Sequence, residues 1–195
     1  TSAPATTTPA DPSTPAAPTE APADAKFKDD IIIGISGKIV ALDPQENSNT
    51  QHNYYFRCVF DTPMDFNNQT AEIEPNICTE WSTDDAKTWN FTLRDDVYFQ
   101  NGEKLTPEAI YYSFITRGPE TSSTSSLSKY MESMEIKDDT HFSITLVNPN
   151  VDFPYLLTLP TASIICKKAV EAGDKDALGI GTGPYRLDSY EFGDY

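Results

Sequence analysis

Long apolar runs are missing from this 195-residue chain. Apolar side chains occur in short runs such as residues 31–33, whereas a membrane-spanning helix needs roughly 20 in succession. Basic residues are also scarce, because 14 Lys and Arg stand against 30 Asp and Glu, a formal net charge of −16. Nucleic acids and anionic lipid surfaces are bound mainly through basic clusters. The sequence therefore predicts neither as a direct partner.

Cysteines are few. The chain has three, Cys58, Cys78 and Cys166, an odd number without a C-x-x-C pair or any metal-ligand spacing. This pattern argues against a disulfide scaffold and against a zinc module. Free cysteines are most often interior, so we expect a buried thiol at each position. A bridge between Cys58 and Cys78 stays open on the sequence alone.

Motifs for catalysis are missing as well. His52 and His141 are the only histidines, and the chain contains neither G-x-S-x-G nor H-E-x-x-H. Four Asp-Asp pairs fall at predicted turns and lack the ligand spacing of an EF-hand. No two of the 30 acidic residues stand out as the carboxylate pair of a glycosidase. The sequence predicts a protein that is not an enzyme and that holds no metal and no cofactor.

Three closely spaced glycines near the carboxyl end superficially resemble a phosphate-binding loop. Gly179, Gly181 and Gly183 are followed by Pro184 and by a strand-like segment at residues 185–187. A phosphate cradle needs instead a helix whose N-terminus faces the anion. We therefore predict a sharp crossover turn, or hinge, at Gly181 and Gly183, for which glycine supplies a permissive backbone.

The first 25 residues have the composition of a spacer. They contain only Ala, Pro, Thr, Ser and three acidic residues, and six of them are prolines. Such a segment buries too little surface to offset the entropy of ordering it. We predict an extended, semi-stiff linker over residues 1–25 and a folding unit of about 170 residues after it.

Hydrophobic periodicity predicts strands and helices in the remainder. An apolar run at residues 31–35 is typical of a strand buried on both faces. Alternating apolar residues predict half-buried strands at 89–93, 97–99, 142–146 and 185–187. Helical spacing, caps and Pro107 predict helices at about 50–60, 106–117 and 167–172.

Turn residues separate these elements. Asp95-Asp96 is predicted to join two antiparallel strands, Asn101-Gly102 makes a tight turn, and Asp138-Asp139 leads into the strand at 142–146. Ser48 or Asn49 is the expected cap of the first helix, and residues 121–126 form a Ser/Thr-rich loop. Trp81 and Trp89 occupy apolar positions of a strand pattern, which favours core packing over a stacking platform for a sugar or peptide.

Several segments in order resemble the family-5 extracellular solute-binding proteins of ABC importers, which include dipeptide, oligopeptide and nickel binders. The resemblance is carried by IIIGISGKIVALDP at 31–44, by PNICTEW at 75–81, and most strongly by residues 82–117. The last stretch is similar to the family pattern S-x-D-G-K-T-W, x-F-x-L-R, V-x-F-x-x-G and L-T-x-E-D-V-x-x-S-F. Departures at Ala86, Asp96 and Gln100, where a His is common, are interpreted as turn and surface changes.

The resemblance implies a mixed α/β fold of the type II periplasmic-binding-protein-like class, in which two lobes close over a ligand about a hinge. Residues 26–46 and 179–195 are expected to be parts of lobe I. Residues 47–178 are expected to form the family's extra small domain. The second lobe is expected to lie outside this chain, since family members are much longer.

The resemblance also implies a non-catalytic receptor that captures a peptide or similar small solute and delivers it to ABC permease subunits. The loop after the first strand faces the cleft in this family, so Ser36, Gly37, Lys38 and Ile39 are the expected ligand-facing positions. The Pro/Thr/Ala tail fits a lipoprotein whose lipid anchor lies upstream of Thr1. The expected location is the extracellular face of the cell membrane or the periplasm.

A different class of protein also has this kind of tail. A secreted or wall-associated enzyme or adhesive module on a glycosylated stalk would share its composition. Such a protein would need a coherent catalytic constellation or a second repeat, and the sequence contains neither.

Overall fold

The computed structural model describes Ile32, Gly34 and residues 42–46, 52–174 and 177–191. Contacts divide the chain into two units, Thr1–Gly34 and Ile35–Tyr195. In the first unit, the described Ile32 is 96% exposed and neither it nor Gly34 lies in a strand. The prediction of a strand buried on both faces is wrong at these two positions, because neither pairs with a neighbouring strand. The linker at 1–25 lies outside the described residues.

The second unit mixes short helices with antiparallel strands. Its elements, in chain order, are α1 (Asn53–Val59), β1 (Met64–Asn67), β2 (Glu72–Pro75), β3 (Cys78–Ser82), β4 (Thr88–Leu93), α2 (Pro107–Tyr111), α3 (Thr124–Ser128), β5 (Met131–Ile136), β6 (His141–Leu146), α4 (Phe153–Leu156) and α5 (Lys167–Glu171). A π-helical segment, Tyr112–Arg117, and a 3-10 turn, Gly118–Glu120, continue α2. Further 3-10 turns lie at Pro160–Ala162 and Ala177–Gly179.

A four-stranded antiparallel sheet in the order β3-β4-β6-β5 organises this unit, and β1 pairs with β2 in a separate hairpin. Along β4 the apolar residues Trp89, Phe91 and Leu93 are buried and the polar residues between them are half-buried. Phe91 lies opposite Phe142 of β6, and their rings stack with centroids 5.0 Å apart. One apolar face of the sheet thus follows directly from the period-2 pattern.

The core lies on this face under the helices. The ring of Phe153, at the start of α4, lies 6.4 Å from both Trp89 and Phe91. Trp81 is half-buried against the same cluster, which confirms both tryptophans as core residues. The largest fully buried side chains of the described residues are Phe56, Phe91, Phe114, Phe142, Phe153, Met64, Ile77, Leu105, Ile110, Ile144, Leu146 and Leu157.

Strand β5 was not predicted, because a bulge breaks its alternation. The register with β6 shifts between Met131 and Ser133, so Met131 and Met134, three positions apart, are both buried. A bulge places two residues opposite one and offsets the side chains that follow. The period of 2 on which the sequence prediction depends is therefore lost at Glu132.

The second predicted strand after Asp95-Asp96 has a different partner from the one expected. Both edges of β4 are already paired, with β3 and with β6. Residues 97–99 instead approach 103–105 around the Asn101-Gly102 turn, where Tyr98 bridges to Lys104 and Gly102 has φ +87°. The predicted tight turn is confirmed, whereas the predicted strand pairing across Asp95-Asp96 is wrong.

The three predicted helices are present, with different details. Helix α1 has His52 rather than Ser48 or Asn49 at its N-cap position. Helix α2 begins at Pro107, but the Thr106 side chain makes no capping hydrogen bond, and Tyr111 is 38% exposed. Helix α5 ends before Gly173, which has φ +70°, as its C-cap pattern predicts.

The loop predicted at 121–126 contains the start of α3. Ser and Thr are weak helix formers, since their side chains compete for backbone groups. Here tertiary contacts outweigh propensity: the Thr124 hydroxyl donates to the Thr161 carbonyl at 2.6 Å, and the Ser128 hydroxyl donates to the Phe114 carbonyl at 2.8 Å. Leu127 between them is buried.

All three cysteines are free thiols. Cys78 and Cys166 are buried, which confirms the prediction, whereas Cys58 is only half-buried because it lies at the edge of the small cluster around Phe56 and Phe60. Burial raises the pKa of the Cys78 thiol. The open question of a bridge between Cys58 and Cys78 is thus answered by two separate thiols.

Membrane-spanning helices are not found among the described residues, whose helices are too short or too polar to cross a bilayer.

Replacement of Ile144 by Ala tests the central strand. The side chain is fully buried, so we expect the free energy of unfolding to fall by about 2–5 kcal/mol through lost burial and a cavity. Urea unfolding measures the change. The neighbouring Thr145→Ala, on the other face of β6, is the matched control and should change stability by less than about 0.5 kcal/mol; equal losses would contradict this face assignment.

The turn before β6 gives a pH prediction. The Asp138 carboxylate accepts the backbone N–H of Thr140 at 2.9 Å and of His141 at 2.8 Å, and these bonds, with that to the His141 ring, hold its pKa below the ordinary value. The stabilisation is present above the unfolded-state pKa near 3.8 and is lost as pH falls through the lower folded-state pKa.

We therefore expect the stability difference between the wild type and Asp138→Asn to be constant above about pH 5 and to shrink below about pH 4. Urea unfolding across this range, with an NMR titration of the carboxyl carbon, makes the measurement. A carboxyl that titrates at its ordinary value would contradict the assignment.

Candidate functional site

The structure describes part of the predicted site. Ser36, Gly37, Lys38 and Ile39, the expected ligand-facing positions, lie outside the described residues. Gly181 and Gly183, the expected crossover, are described. Two described segments flank the predicted small domain: the Asp43 segment, residues 42–46, and the glycine segment, residues 181–185. Each is attached to the rest of the second unit by a distinct set of hydrogen bonds.

The glycine segment lies against the carboxyl end of α1. The Gly183 N–H donates to the Val59 carbonyl at 2.9 Å, and the Tyr185 N–H donates to the Cys58 carbonyl at 3.0 Å. A side chain on Gly181 would overlap the Val59 carbonyl oxygen, and a Cβ on Gly183 would lie 2.6 Å from the Val59 carbonyl carbon. Close packing of two backbones therefore requires glycine at both positions.

This geometry corrects the reason given for the two glycines. The positive-φ glycines among the described residues are Gly102 and Gly173, so neither Gly181 nor Gly183 uses the left-handed region. The glycines serve for close approach rather than for backbone freedom. The strand predicted at 185–187 is also wrong, because the Tyr185 N–H is used by the end of a helix and not by a neighbouring strand.

Gln100 joins the glycine segment to the turn before α2. Its backbone N–H donates to the Gly181 carbonyl at 2.9 Å, and its side-chain Nε2 lies 3.1 Å from the Gly183 carbonyl and 2.6 Å from the Tyr185 carbonyl. The interpretation of Gln100 as a surface change is therefore wrong, since the residue is half-buried and bonded to both the end of α1 and the glycine segment. A further bond joins the Thr182 hydroxyl to the Asp61 carboxylate at 2.9 Å.

The Asp43 segment is held by a buried polar cluster. Arg117, the last residue of the π-helical segment, pairs through its guanidinium with the carboxylate of Asp43 and with the side-chain oxygen of Gln45. The Gln45 side chain donates in turn to the Ser113 carbonyl at 3.0 Å. The side chains of Arg117 and Asp43 are only 16% and 7% exposed, so these charges satisfy each other rather than water.

Backbone bonds complete this attachment. The Gln45 carbonyl accepts the N–H groups of Ser123 and Thr124 at 2.9 and 3.3 Å, just where α3 begins. The Ser122 hydroxyl donates to the Glu46 carbonyl at 2.7 Å. The segment thus supplies acceptors for N–H groups at the start of α3 that have no partner inside the helix.

Two open grooves lie on the described surface. One, of about 740 Å³, runs between Gln100 and Asn101 on one wall and residues 186–190 on the other. The second, of about 600 Å³, lies over β3, β4 and β6 and includes Lys137, which donates to the Asn90 side chain at 2.6 Å. Both grooves are broadly open to solvent.

The two histidines lie in different surroundings. His52 is buried with its ring 6.2 Å from that of Phe56. His141 is exposed, and its Nδ1 lies 2.9 Å from an Asp138 oxygen in the turn before β6. Across the described residues, no three His, Cys, Asp or Glu side chains converge as metal ligands.

Sequence reasoning missed the partners of Arg117 and Gln100. Asp43 and Arg117 are 74 positions apart, and Gln100 is 85 positions from Tyr185. Nothing local distinguishes Arg117 from an exposed arginine at the end of an amphipathic helix. The closely spaced glycines indicated where the chain crosses, but they did not indicate that the Gln100 side chain binds that segment.

Residues 72–195 match the sequence pattern of the bacterial extracellular solute-binding proteins, family 5, middle region. A curated relative, the probable D,D-dipeptide-binding periplasmic protein DdpA of Escherichia coli K12, is 30% identical over 184 residues, covering 85% of this chain and 34% of the relative. The glutathione-binding protein GsiB of Salmonella typhi is 25% identical over 177 residues, covering 85% and 33%.

Solved structures show the same fold. The murein tripeptide binding protein MppA of Escherichia coli has a TM-score of 0.73 at 23% identity, covering 81% of this chain and 35% of that one. A nickel ABC transporter protein of Bacillus halodurans has a TM-score of 0.68 at 26% identity, covering 80% and 32%. This chain therefore spans about a third of the length of these relatives, and its mixed α/β fold is of the type II periplasmic-binding-protein-like class.

These names describe solute-binding proteins, so the alternative of an enzyme or an adhesive module on a stalk receives no support.

Replacement of Gly181 by Ala tests the close approach. The added methyl group would overlap the Val59 carbonyl, so α1 and the glycine segment must separate, and we expect a loss of about 1–3 kcal/mol in urea unfolding. Gly34→Ala is the matched control, because a Cβ there would meet nothing within 4 Å. A Gly181→Ala protein as stable as the control would disprove the packing described.

Proposed function

Because this chain belongs to the family-5 bacterial extracellular solute-binding proteins, we propose that it is part of the substrate-binding component of an ABC importer. The observation that carries the proposal is the continuous match over residues 72–195, which includes both the sheet and the glycine segment. The role is capture and delivery of a solute, without catalysis.

Peptides are the proposed solute class. The relatives named above are described as binders of a D,D-dipeptide, glutathione and a murein tripeptide. These ligands share peptide bonds and free charged termini. The nickel protein among the solved structures keeps a metal complex as the second candidate.

Lobe closure is the proposed mechanism. Residues 26–46 and 179–195 belong to lobe I, and residues 47–178 form the extra small domain, so the Asp43 segment and the glycine segment are the places where the chain passes between them. The rest of the relatives' length supplies the second lobe. A ligand that contacts both lobes stabilises the closed form. The observed affinity is lower when a smaller fraction of the free protein is in that form.

Ser36, Gly37, Lys38 and Ile39 are the proposed ligand-facing residues, and Gly181 and Gly183 fix the crossover. Lys38 offers a positive charge for a peptide carboxylate. The proposed location is the extracellular face of the cell membrane or the periplasm, with a lipid anchor upstream of Thr1 and the linker at 1–25 as the spacer. ABC permease subunits are the proposed partners.

Calorimetric titration of a pool of di- to pentapeptides tests the proposal. The titrated proteins are this chain and the full product of its gene. Heat from the full product alone is expected, because the closed cleft needs two walls. No heat from either protein would overturn peptides as the solute, and binding by the 195-residue chain alone would contradict the two-walled cleft.

Lys38→Ala in the full gene product then tests the ligand-facing segment. We expect about tenfold weaker peptide binding, equivalent to about 1.4 kcal/mol. Lys129→Ala, at an exposed lysine on the surface of the second unit, is the matched control and should bind as the wild type does. Equal affinities of the two variants would remove Lys38 from the site.

A further inference from the structure

The Gln100 side chain lies within hydrogen-bonding distance of four backbone groups. Its Nε2 lies 3.3 Å from the Val59 carbonyl, 3.1 Å from the Gly183 carbonyl and 2.6 Å from the Tyr185 carbonyl. Its Oε1 accepts the Gly181 N–H at 3.4 Å. The side chain therefore contacts both the end of α1 and the glycine segment that packs on it.

The chemistry of this contact selects a primary amide. An amide presents two N–H donors and one carbonyl acceptor at the end of a single side chain. A carboxylate has no N–H donor, and its oxygens would repel the carbonyl oxygens of Gly183 and Tyr185. A neutral imidazole offers one donor and one acceptor, and a thioether offers no donor. Gln100 is thus matched to a place where carbonyl oxygens converge and one N–H needs an acceptor.

The same side chain forms part of a groove. Gln100 and Asn101 line one wall of the groove of about 740 Å³, and residues 186–190 line the other. Residues 186–190 directly follow Tyr185, whose carbonyl makes the shortest of the Gln100 bonds. The second wall therefore begins one residue after the carbonyl that the Gln100 amide contacts.

We propose that Gln100 is a positioning residue: its side-chain amide fixes the path of the glycine segment across the end of α1 and thereby places residues 186–190 as the second wall of the groove. The backbone bonds of Gly183 and Tyr185 hold the segment in contact, and the amide determines where it leaves. No other described side chain donates to the carbonyls of Gly183 and Tyr185.

Amide hydrogen exchange on the 195-residue chain tests the proposal. The reporters are the N–H groups of Gly183 and Tyr185, which donate to Val59 and Cys58, with those of β4 and β6 as internal references. In Gln100→Met, which keeps the length but removes the donors, we expect exchange at the two reporters to accelerate about tenfold with the references unchanged. Gln69→Met, at an exposed glutamine in the β1–β2 turn, is the matched control and should leave all rates unchanged.

Gln100→His separates positioning from general stability. One remaining donor should give an acceleration between those of the wild type and Gln100→Met. If Gln100→Met loses protection everywhere, the comparison is made in Gln100→His, where the acceleration must still be confined to the two reporters. Unchanged reporters in Gln100→Met, or uniform acceleration in both variants, would overturn the proposal.

A second experiment links Gln100 to ligand capture and depends on the proposed function. In the full gene product, Gln100→Met should weaken peptide binding by at least threefold while Gln69→Met binds as the wild type does. Wild-type affinity in Gln100→Met would confine the role of Gln100 to the junction. If no protein binds peptide, the proposed function fails and the exchange experiment still decides the role of Gln100.

Discussion

The carbonyl group of Val59 is the point on which the carboxyl-terminal part of the structure depends. It accepts the Gly183 N–H at 2.9 Å, and the Gln100 amide lies 3.3 Å away. As one of the last carbonyls of α1, it has no partner inside the helix and is available to another segment. Its position leaves no room for a side chain at residue 181. A helix end, two glycines and one amide therefore form a single junction that none of them would form alone.

The Asp43 segment is attached by a different kind of force. A buried ion pair gains little over apolar packing, because both charges lose hydration, but removal of one partner leaves the other charge stranded at a cost of about 3–5 kcal/mol. The ion pair of Asp43 and Arg117 thus contributes little net stability but favours one position of the Asp43 segment over others. The glycine segment, in contrast, is held at Val59 by close backbone packing.

Local patterns in the sequence predicted much of the fold. Helices α1, α2 and α5, strands β4 and β6, and the turns at Gly102 and Asp138 follow from periodicity and turn chemistry within about ten residues. Strand β5 was missed because the bulge at Glu132 removes its alternation, and α3 because buried hydroxyl bonds outweigh the weak propensity of Ser and Thr. The junction needed distant partners: glycine spacing located it, but Gln100 and Arg117 acquire their roles from residues more than 40 positions away, which a single sequence does not pair.

The bulge in β5 has a consequence for the outer edge of the sheet. Strand β5 is an edge strand, and a regular edge offers a row of backbone groups to any extended chain. Here the bulge interrupts that row, and Glu132 at the bulge is paired with Lys87 at 3.2 Å. A foreign strand would have to follow an irregular register. A strand added from outside would therefore pair poorly along β5.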